Sequence, residues 1–353
     1  ITSPPYWGLR NYNDEEKQLG MEDTPEEFVD NLVKVFREVK RVLRDDGTVW
    51  LNLGDSYSSG GRTTTTNQSL RGDKDYGVTR PKPSKGIKPK DLIGIPWRVA
   101  LALQQDGWYL RQDIIWHKPN PMPESVKDRC TKAHEYIFLL SKSPKYYFDN
   151  EAIKEDSKYH GKDKRSDKGN IRYEGKRTSN KDTKAQQSFV TINPKKNKRS
   201  VWTVTTKPFK GAHFATFPMD LIEPCVLAGC PEKICVDCGK PYKRVMKQPK
   251  QLEVKRGRRA GTDDRLIGGV LDKYKRENPP IDLGLQKQCD CKTNKTKAGI
   301  VLDPFGGSGT TGIVAVNNNR HAVLCELNQE YIDLAKKRIE EQAGFLATIN
   351  ITK

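Results

Sequence analysis

Gly299-Ile300-Val301-Leu302-Asp303-Pro304-Phe305-Gly306-Gly307-Ser308-Gly309-Thr310-Thr311 decides the fold of this 353-residue chain. An apolar strand runs into a glycine-rich turn, and Thr310 opens a helix expected to reach Asn317. The glycines strip Cβ atoms from the turn, so a ligand can approach the backbone closely. The helix behind Gly309 aims free N–H groups and a partial positive charge at whatever sits over the turn. A further strand, 321–326, ends on Cys325-Glu326 and sets an acid across from Gly306 and Gly307. In Rossmann-like sites such an acid accepts hydrogen bonds from ribose hydroxyls. No Walker lysine follows the turn, which argues against a nucleoside triphosphate loop. A helix over 329–343 completes the unit.

Outward from this unit, the chain reads as an α/β body. Glu26 to Leu43 carries Phe28, Leu32, Val35, Phe36, Val39 and Leu43 at helical spacing, with Thr24 as N-cap and Pro25 at the first helical position. Strands are expected over 48–53, 109–116 and 135–141, and helices over 96–105 and 218–228. Gly54 to Lys90 is a polar loop by composition. The body breaks at Gly229-Cys230-Pro231 and resumes at Ala298-Gly299, so 232–298 reads as an insertion between a helix and a strand.

At the other end stands Ser3-Pro4-Pro5-Tyr6, a proline-fixed loop presenting a hydroxyl, a backbone carbonyl and an aromatic face. The pair of motifs, in this order, resembles the β-class S-adenosylmethionine-dependent DNA amino-methyltransferases. Trp116-His117-Lys118-Pro119-Asn120-Pro121-Met122-Pro123, Ala133-His134-Glu135-Tyr136 and Phe214-Ala215-Thr216-Phe217-Pro218 carry the same resemblance. It covers about 200 residues, at 1–55, 90–150, 200–231 and 299–343.

The resemblance implies a Rossmann-like sheet with helices on both faces, S-adenosylmethionine as methyl donor and double-stranded DNA as partner. Asp303, Phe305, Gly306, Gly307, Ser308, Gly309, Thr310, Thr311 and Glu326 are then the cofactor-binding residues, with Thr216 and Phe217 at the methionine end. Ser3, Pro4, Pro5 and Tyr6 are the catalytic motif. An exocyclic base amine is a poor nucleophile because its lone pair is delocalised into the ring. The Ser3 hydroxyl and Pro4 carbonyl can accept hydrogen bonds from its two N–H groups and draw the nitrogen towards sp³ geometry. Tyr6 is expected to stack on a base swung out of the duplex. Serine ahead of the prolines favours cytosine N4. Adenine N6 is the alternative, and a non-catalytic, zinc-stapled DNA-binding remnant is a reading of another class. His117 and Asp55 are placed near the active face, whereas His134 reads as packing at a strand start. In the family an apolar strand precedes the catalytic motif. Only Ile1 and Thr2 do so here, and the chain is expected to be an N-terminally incomplete fragment.

Charge fits a polyanion partner. The net charge is +18. Residues 151–200 hold 15 Lys+Arg against 7 Asp+Glu, and 232–298 hold 18 against 9, leaving the rest near neutral. Two basic modules on a neutral body are the footprint of a nucleic-acid binder. The first, low in aliphatic residues, reads as a loop or partly disordered segment. In the second, Lys255, Arg256, Arg258 and Arg259 are the expected DNA-contacting face.

Of the eight cysteines, Cys235-x-x-Cys238-Gly239 and Cys289-x-Cys291 form two pairs inside the insertion. In a chain of this size without an export signal, metal is the better expectation than a disulfide. Four thiolates leave no open position, so a structural Zn²⁺ in a zinc-ribbon-like module is expected. The organisation expected is thus 1–150 and 201–231 as body, 151–200 as a basic segment, 232–298 as the zinc module and 299–353 as the cofactor half. No run of about 18 apolar residues exists, so no membrane span is expected. The family points to a bacterial, archaeal or phage-encoded cytoplasmic enzyme, monomeric or homodimeric, for which a restriction endonuclease is the natural companion.

Overall fold

α1 (Pro25–Val42) starts as its sequence dictates, with Thr24 Oγ1 accepting from the Glu27 N–H at 3.2 Å and Pro25 inside the first turn. Acids in the first turn and Lys40 and Arg41 in the last complement the helix dipole. The helix stops one residue short of Leu43, which turns to extended backbone. Phe28, Leu32 and Phe36 are fully buried, each contributing about 2 kcal/mol of apolar burial.

That stripe packs with α2 (Ile95–Gln105) and one side of β1 (Thr48–Leu53). Val49, Leu51 and Leu53 belong to this core, joined by Phe138 and Leu140 of β3 (His134–Ser141). β2 (Tyr109–His117) pairs antiparallel with β3, which pairs antiparallel with β1, and β6 (Val201–Thr203) lies parallel on the outer side of β2. α3 (Met219–Gly229), α4 (Thr310–Asn317) and α5 (Gln329–Ala343) pack as a second layer, with α3 against α4 and α4 against α5.

β11 (Ile300–Asp303) and β12 (His321–Leu324) form a parallel pair. The first two residues of the chain bridge this pair to β1. Ile1 N donates to Leu302 O at 2.9 Å. Thr2 N donates to Trp50 O at 3.0 Å, and Asn52 N donates back to Thr2 O at 2.9 Å. The spatial order is therefore β12, β11, Ile1–Thr2, β1, β3, β2, β6. With helices on both faces this is the Rossmann-like α/β sheet expected. The loop after β11 and the loop after Thr2 leave neighbouring parallel strands at their carboxyl ends. That is where open α/β sheets hold ligands.

The computed structural model describes residues 1–8, 18–58, 87–157, 194–206, 217–249, 274, 277–344 and 347–352. Contacts divide the chain into two units. One comprises Ile1–Ala152, Arg199–Tyr242 and Gln288–Lys353, and the other Ile153–Lys198 and Lys243–Lys287. The second contains two short antiparallel pairs. β4 (Glu155–Asp156) pairs with β5 (Lys195–Lys196), and β8 (Lys243–Lys247) with β9 (Ile281–Gln286). Arg244 and Asp282 close the latter pair with an ion pair at 2.8 Å.

The expected insertion, 232–298, thus contributes to both units. Its cysteine-bearing ends group with the body because backbone bonds stitch them there. Gly299 N donates to Pro231 O, Tyr242 N to Lys233 O, and β7 (Ile234–Cys235) pairs with β10 (Thr296–Lys297). The buried Arg320 guanidinium also donates twice to Cys230 O, at 3.1 and 3.2 Å. Lys255, Arg256, Arg258, Arg259 and most of 151–200 lie outside the described residues. Among the described residues no helix is long and apolar enough to cross a membrane.

Candidate active site

Ser3 follows directly on Thr2, the residue hydrogen-bonded between β1 and the β11 side of the sheet. Its hydroxyl is hydrogen-bonded to the Tyr6 hydroxyl. The Tyr6 ring lies against the backbone of Gly54, where an added Cβ would fall 2.6 Å from Tyr6 Cε2. Tyr6 Oη accepts from the Gly54 N–H, donates to Glu135 Oε2 at 2.7 Å and lies 3.3 Å from Asn52 Oδ1. Asn52 Nδ2 donates to Tyr136 O at 3.0 Å and to Glu135 Oε2 at 3.3 Å. Lys118 pairs with the other Glu135 oxygen and stands 4.3 Å from the centre of the Trp116 ring.

Burial first, and the Glu135 charge second, push the Tyr6 phenol well above its ordinary range. Tyr6 is therefore a neutral hydrogen-bonding strut, with one ring flank already covered by Gly54. Sequence reasoning missed Glu135, Lys118 and Asn52 as site residues. Lys118 and Glu135 lay in stretches quoted for the family resemblance and Asn52 in the strand expected over 48–53, and 129 residues separate Tyr6 from Glu135. Tyr6→Phe is expected to lower the unfolding free energy by about 1–2 kcal/mol, because Glu135 and the Gly54 N–H lose a buried partner. Urea denaturation of the two proteins side by side measures it.

On the cofactor side, Asp303 is turned inward. Its carboxylate, 1% exposed, accepts from Thr2 Oγ1 at 2.5 Å, Thr311 Oγ1 at 2.6 Å and the Phe305 N–H at 3.1 Å. Burial raises its pKa, and the hydroxyl and amide donors oppose that shift. Asp303 and Thr311 therefore hold the turn in shape rather than facing a ligand. Gly309 sits at φ +77°, and a Cβ there would lie 2.8 Å from Ala335 Cβ. Only glycine lets α5 pack this closely on the start of α4.

Arg338 of α5, a residue not anticipated from sequence, bonds Ser308 O, Ser308 Oγ and Thr310 Oγ1. Glu326 does not stand free at its strand end. Its Oε2 accepts from the Gly307 N–H at 2.7 Å and its Oε1 from the Leu327 and Asn328 N–H groups at 3.0 Å. Those bonds turn the chain and end β12 at Leu324, two residues before the expected end. They leave the carboxylate capacity for one further donor. Phe217 is half-buried just ahead of α3, and Thr216 lies outside the described residues.

Three secondary candidates are resolved by their contacts. Asp55 Oδ1 accepts from Ser56, Gly94 and Ile95 N–H groups at 2.9–3.2 Å, so it caps α2 rather than lining the crevice. His134 packs edge-on to Tyr136, as a strand-start residue should. His117 Nδ1 lies 3.2 Å from Thr203 Oγ1.

Away from the crevice, Cys235, Cys238, Cys289 and Cys291 converge, with all four sulfur atoms within 4.8 Å of one another. Gly239, at φ +70°, closes the first pair by donating to Cys235 O at 3.0 Å. The Cys238 amide, with that of Asp237, draws the Cys235 thiol down to about 7. Hydrogen bonds among the crowded sulfurs push Cys291 up to about 12. One dication held by all four thiolates would relieve such crowding.

The DNA methylase family of N6 and N4 enzymes matches residues 1–238 and 290–337. The type II methyltransferase M.Cfr9I of Citrobacter freundii is 40% identical over 341 residues, spanning 96% of this chain and 80% of that relative. M.SmaI of Serratia marcescens is 42% identical over 342 residues, spanning 96% of this chain and 82% of its own length. Among solved structures, the cytosine-N4-specific PvuII DNA methyltransferase aligns with a TM-score of 0.48 at 15% identity, over 98% of this chain and 84% of that one. A family match over most of the sequence and relatives at 40% identity leave one conclusion: the chain belongs to the N6/N4 DNA methylase family and is a DNA methyltransferase.

Proposed function

We propose that this enzyme transfers a methyl group from S-adenosylmethionine to the exocyclic N4 of a cytosine turned out of double-stranded DNA. The observation that carries the reading is the Thr2–Asp303 hydrogen bond of 2.5 Å. It ties the residue before Ser3 to the residue that opens the glycine-rich turn, so base and methyl donor would meet at adjacent strand ends.

S-adenosylmethionine supplies an electrophilic methyl group, and its in-line displacement depends on proximity more than on a strong base. The turn from Phe305 to Thr310 would hold it, with Glu326 exchanging its Gly307 contact for ribose hydroxyls. Ser3 Oγ and the Pro4 carbonyl would accept hydrogen bonds from the two amine N–H groups, and the proton that the nitrogen gives up on methylation would pass to water. Serine is the smaller, uncharged choice and favours the cytosine edge. The Tyr6 hydroxyl, fixed by Gly54, Asn52 and Glu135, would keep Ser3 in register. The basic segments 151–200 and 232–298 would hold the phosphate backbone. The type II names of the relatives support a cognate restriction endonuclease that reads the same site. Transfer of a labelled methyl group to unmethylated DNA, in the presence and absence of the chain, tests the reading. Label confined to DNA in the complete reaction is expected, and none at all would defeat it.

The Cys235–Cys238–Cys289–Cys291 cluster fits Zn²⁺. Tetrahedral thiolates at about 2.3 Å from zinc stand about 3.8 Å apart, within the 4.8 Å spread found. The ion would be structural, clasping the two ends of the inserted segment to the body. Elemental analysis should return one zinc per chain, and stripping it with a chelator should lower the melting temperature. A zinc-free protein of unchanged stability would refute the assignment.

A further inference from the structure

The segment from Lys118 to Ala133 leaves the active site and returns to it. At its root Lys118 N donates to Ala133 O at 2.8 Å, while the Lys118 ammonium pairs with Glu135, the Tyr6 partner. Lys132 Nζ donates at 2.7 Å to the carbonyl of Asp55, next to the Gly54 on which Tyr6 rests. Between these feet the loop has no helix or strand, yet it is braced throughout. Asn120 exchanges two bonds with the Thr206 backbone, at 3.1 and 3.3 Å. Arg129 pairs with Glu124 and lies 3.8 Å from the centre of the Tyr57 ring.

On this loop stands Met122, 85% exposed, the most exposed large apolar side chain among the described residues. Pro121 and Pro123 flank it and Pro119 precedes them, which fixes the backbone that presents it. Four residues from Lys118, its Cα lies no farther than about 14 Å from the Lys118 Cα. Lys118, Lys127, Arg129 and Lys132 stand on the same loop, cations that suit a phosphate backbone, and an exposed apolar side chain beside them gains by leaving water for a base stack. Proteins that unstack DNA insert such side chains, methionine among them, between base steps. An unbranched thioether adapts to the gap and packs well on aromatic faces.

We propose that Met122 is the wedge that enters the duplex where the target base has left it. This rests on the reading of the chain as an enzyme that turns its base out. The wedge stabilises the opened duplex and takes no part in methyl transfer itself. A base that is already unpaired should therefore not need it.

The test compares wild type, Met122→Ala and Met122→Leu on two duplexes carrying a site mapped by sequencing the modified DNA. In one the target is normally paired, and in the other it faces an abasic position. Met122→Ala should slow methylation of the paired duplex about tenfold or more and match wild type within about twofold on the abasic one. Met122→Leu should retain most of the wild-type rate on both. Equal loss on both duplexes, or no loss on either, with wild type active, overturns the wedge alone. If wild type modifies no DNA and no site can be mapped, the proposed methylation of a turned-out base falls, and the wedge with it.

Discussion

Ser3→Ala is expected to lower kcat by about 10²–10³ while leaving S-adenosylmethionine affinity within about twofold, since the loss of one precisely placed hydrogen-bond partner of a reacting group typically costs that much. The hydroxyl is the sole side-chain acceptor that the catalytic motif can offer the amine, because Tyr6 is committed to Glu135, Asn52 and Gly54. The fold should survive, for Ser3 is only half-buried. Single-turnover kinetics with labelled donor give the rate, and calorimetry gives the affinity. A variant with wild-type kcat would remove Ser3 from the chemistry. One with weakened donor binding and normal kcat would move it to the cofactor side.

Asp303→Ala should have the largest effect on stability. The substitution strands two buried hydroxyls, Thr2 and Thr311, and the Phe305 N–H. At about 1–3 kcal/mol for each group left unsatisfied, partly relieved by relaxation, the unfolding free energy should fall by about 3–5 kcal/mol. Donor affinity should drop more than tenfold, because the turn from Phe305 to Gly309 loses its anchor. Asp303→Asn, which keeps the shape and some of the bonds, should sit between. Thermal unfolding with and without S-adenosylmethionine measures both effects. An alanine variant that melts with wild type and is stabilised equally by the donor would contradict the structural role assigned to Asp303.

These two residues show what the sequence could and could not reveal. Ser3 could be proposed from sequence because the chemistry assigned to it is local, a hydroxyl on a proline-fixed loop. Asp303 was read as a ligand contact, because spacing along a chain does not say which way a carboxylate turns. The structure buries it between two threonines. Glu326 stands across the turn from Gly307, but its carboxylate is turned onto the Gly307 amide, a contact across 19 residues. Elements governed by local pattern came out within one or two residues, as with Thr24 capping α1 and the strand–turn–helix at Gly306. The network of Glu135, Lys118 and Asn52 was invisible. It exists only once β3 lies beside β1, and no period or cap announces that. The four cysteines were visible as two pairs, and their convergence needed the β7–β10 pairing to bring Thr296 opposite Cys235. The same stitching explains why the cysteine-bearing ends group with the body while 243–287 does not.

The most direct test of the central reading is nucleoside mass analysis of DNA methylated by the purified enzyme with labelled S-adenosylmethionine. N4-methylcytosine as the labelled nucleoside is expected, and its loss in Ser3→Ala would rest the chemistry on that hydroxyl. N6-methyladenine would keep the enzyme and overturn the base assignment, whereas DNA without any methylated amine would contradict the reading outright.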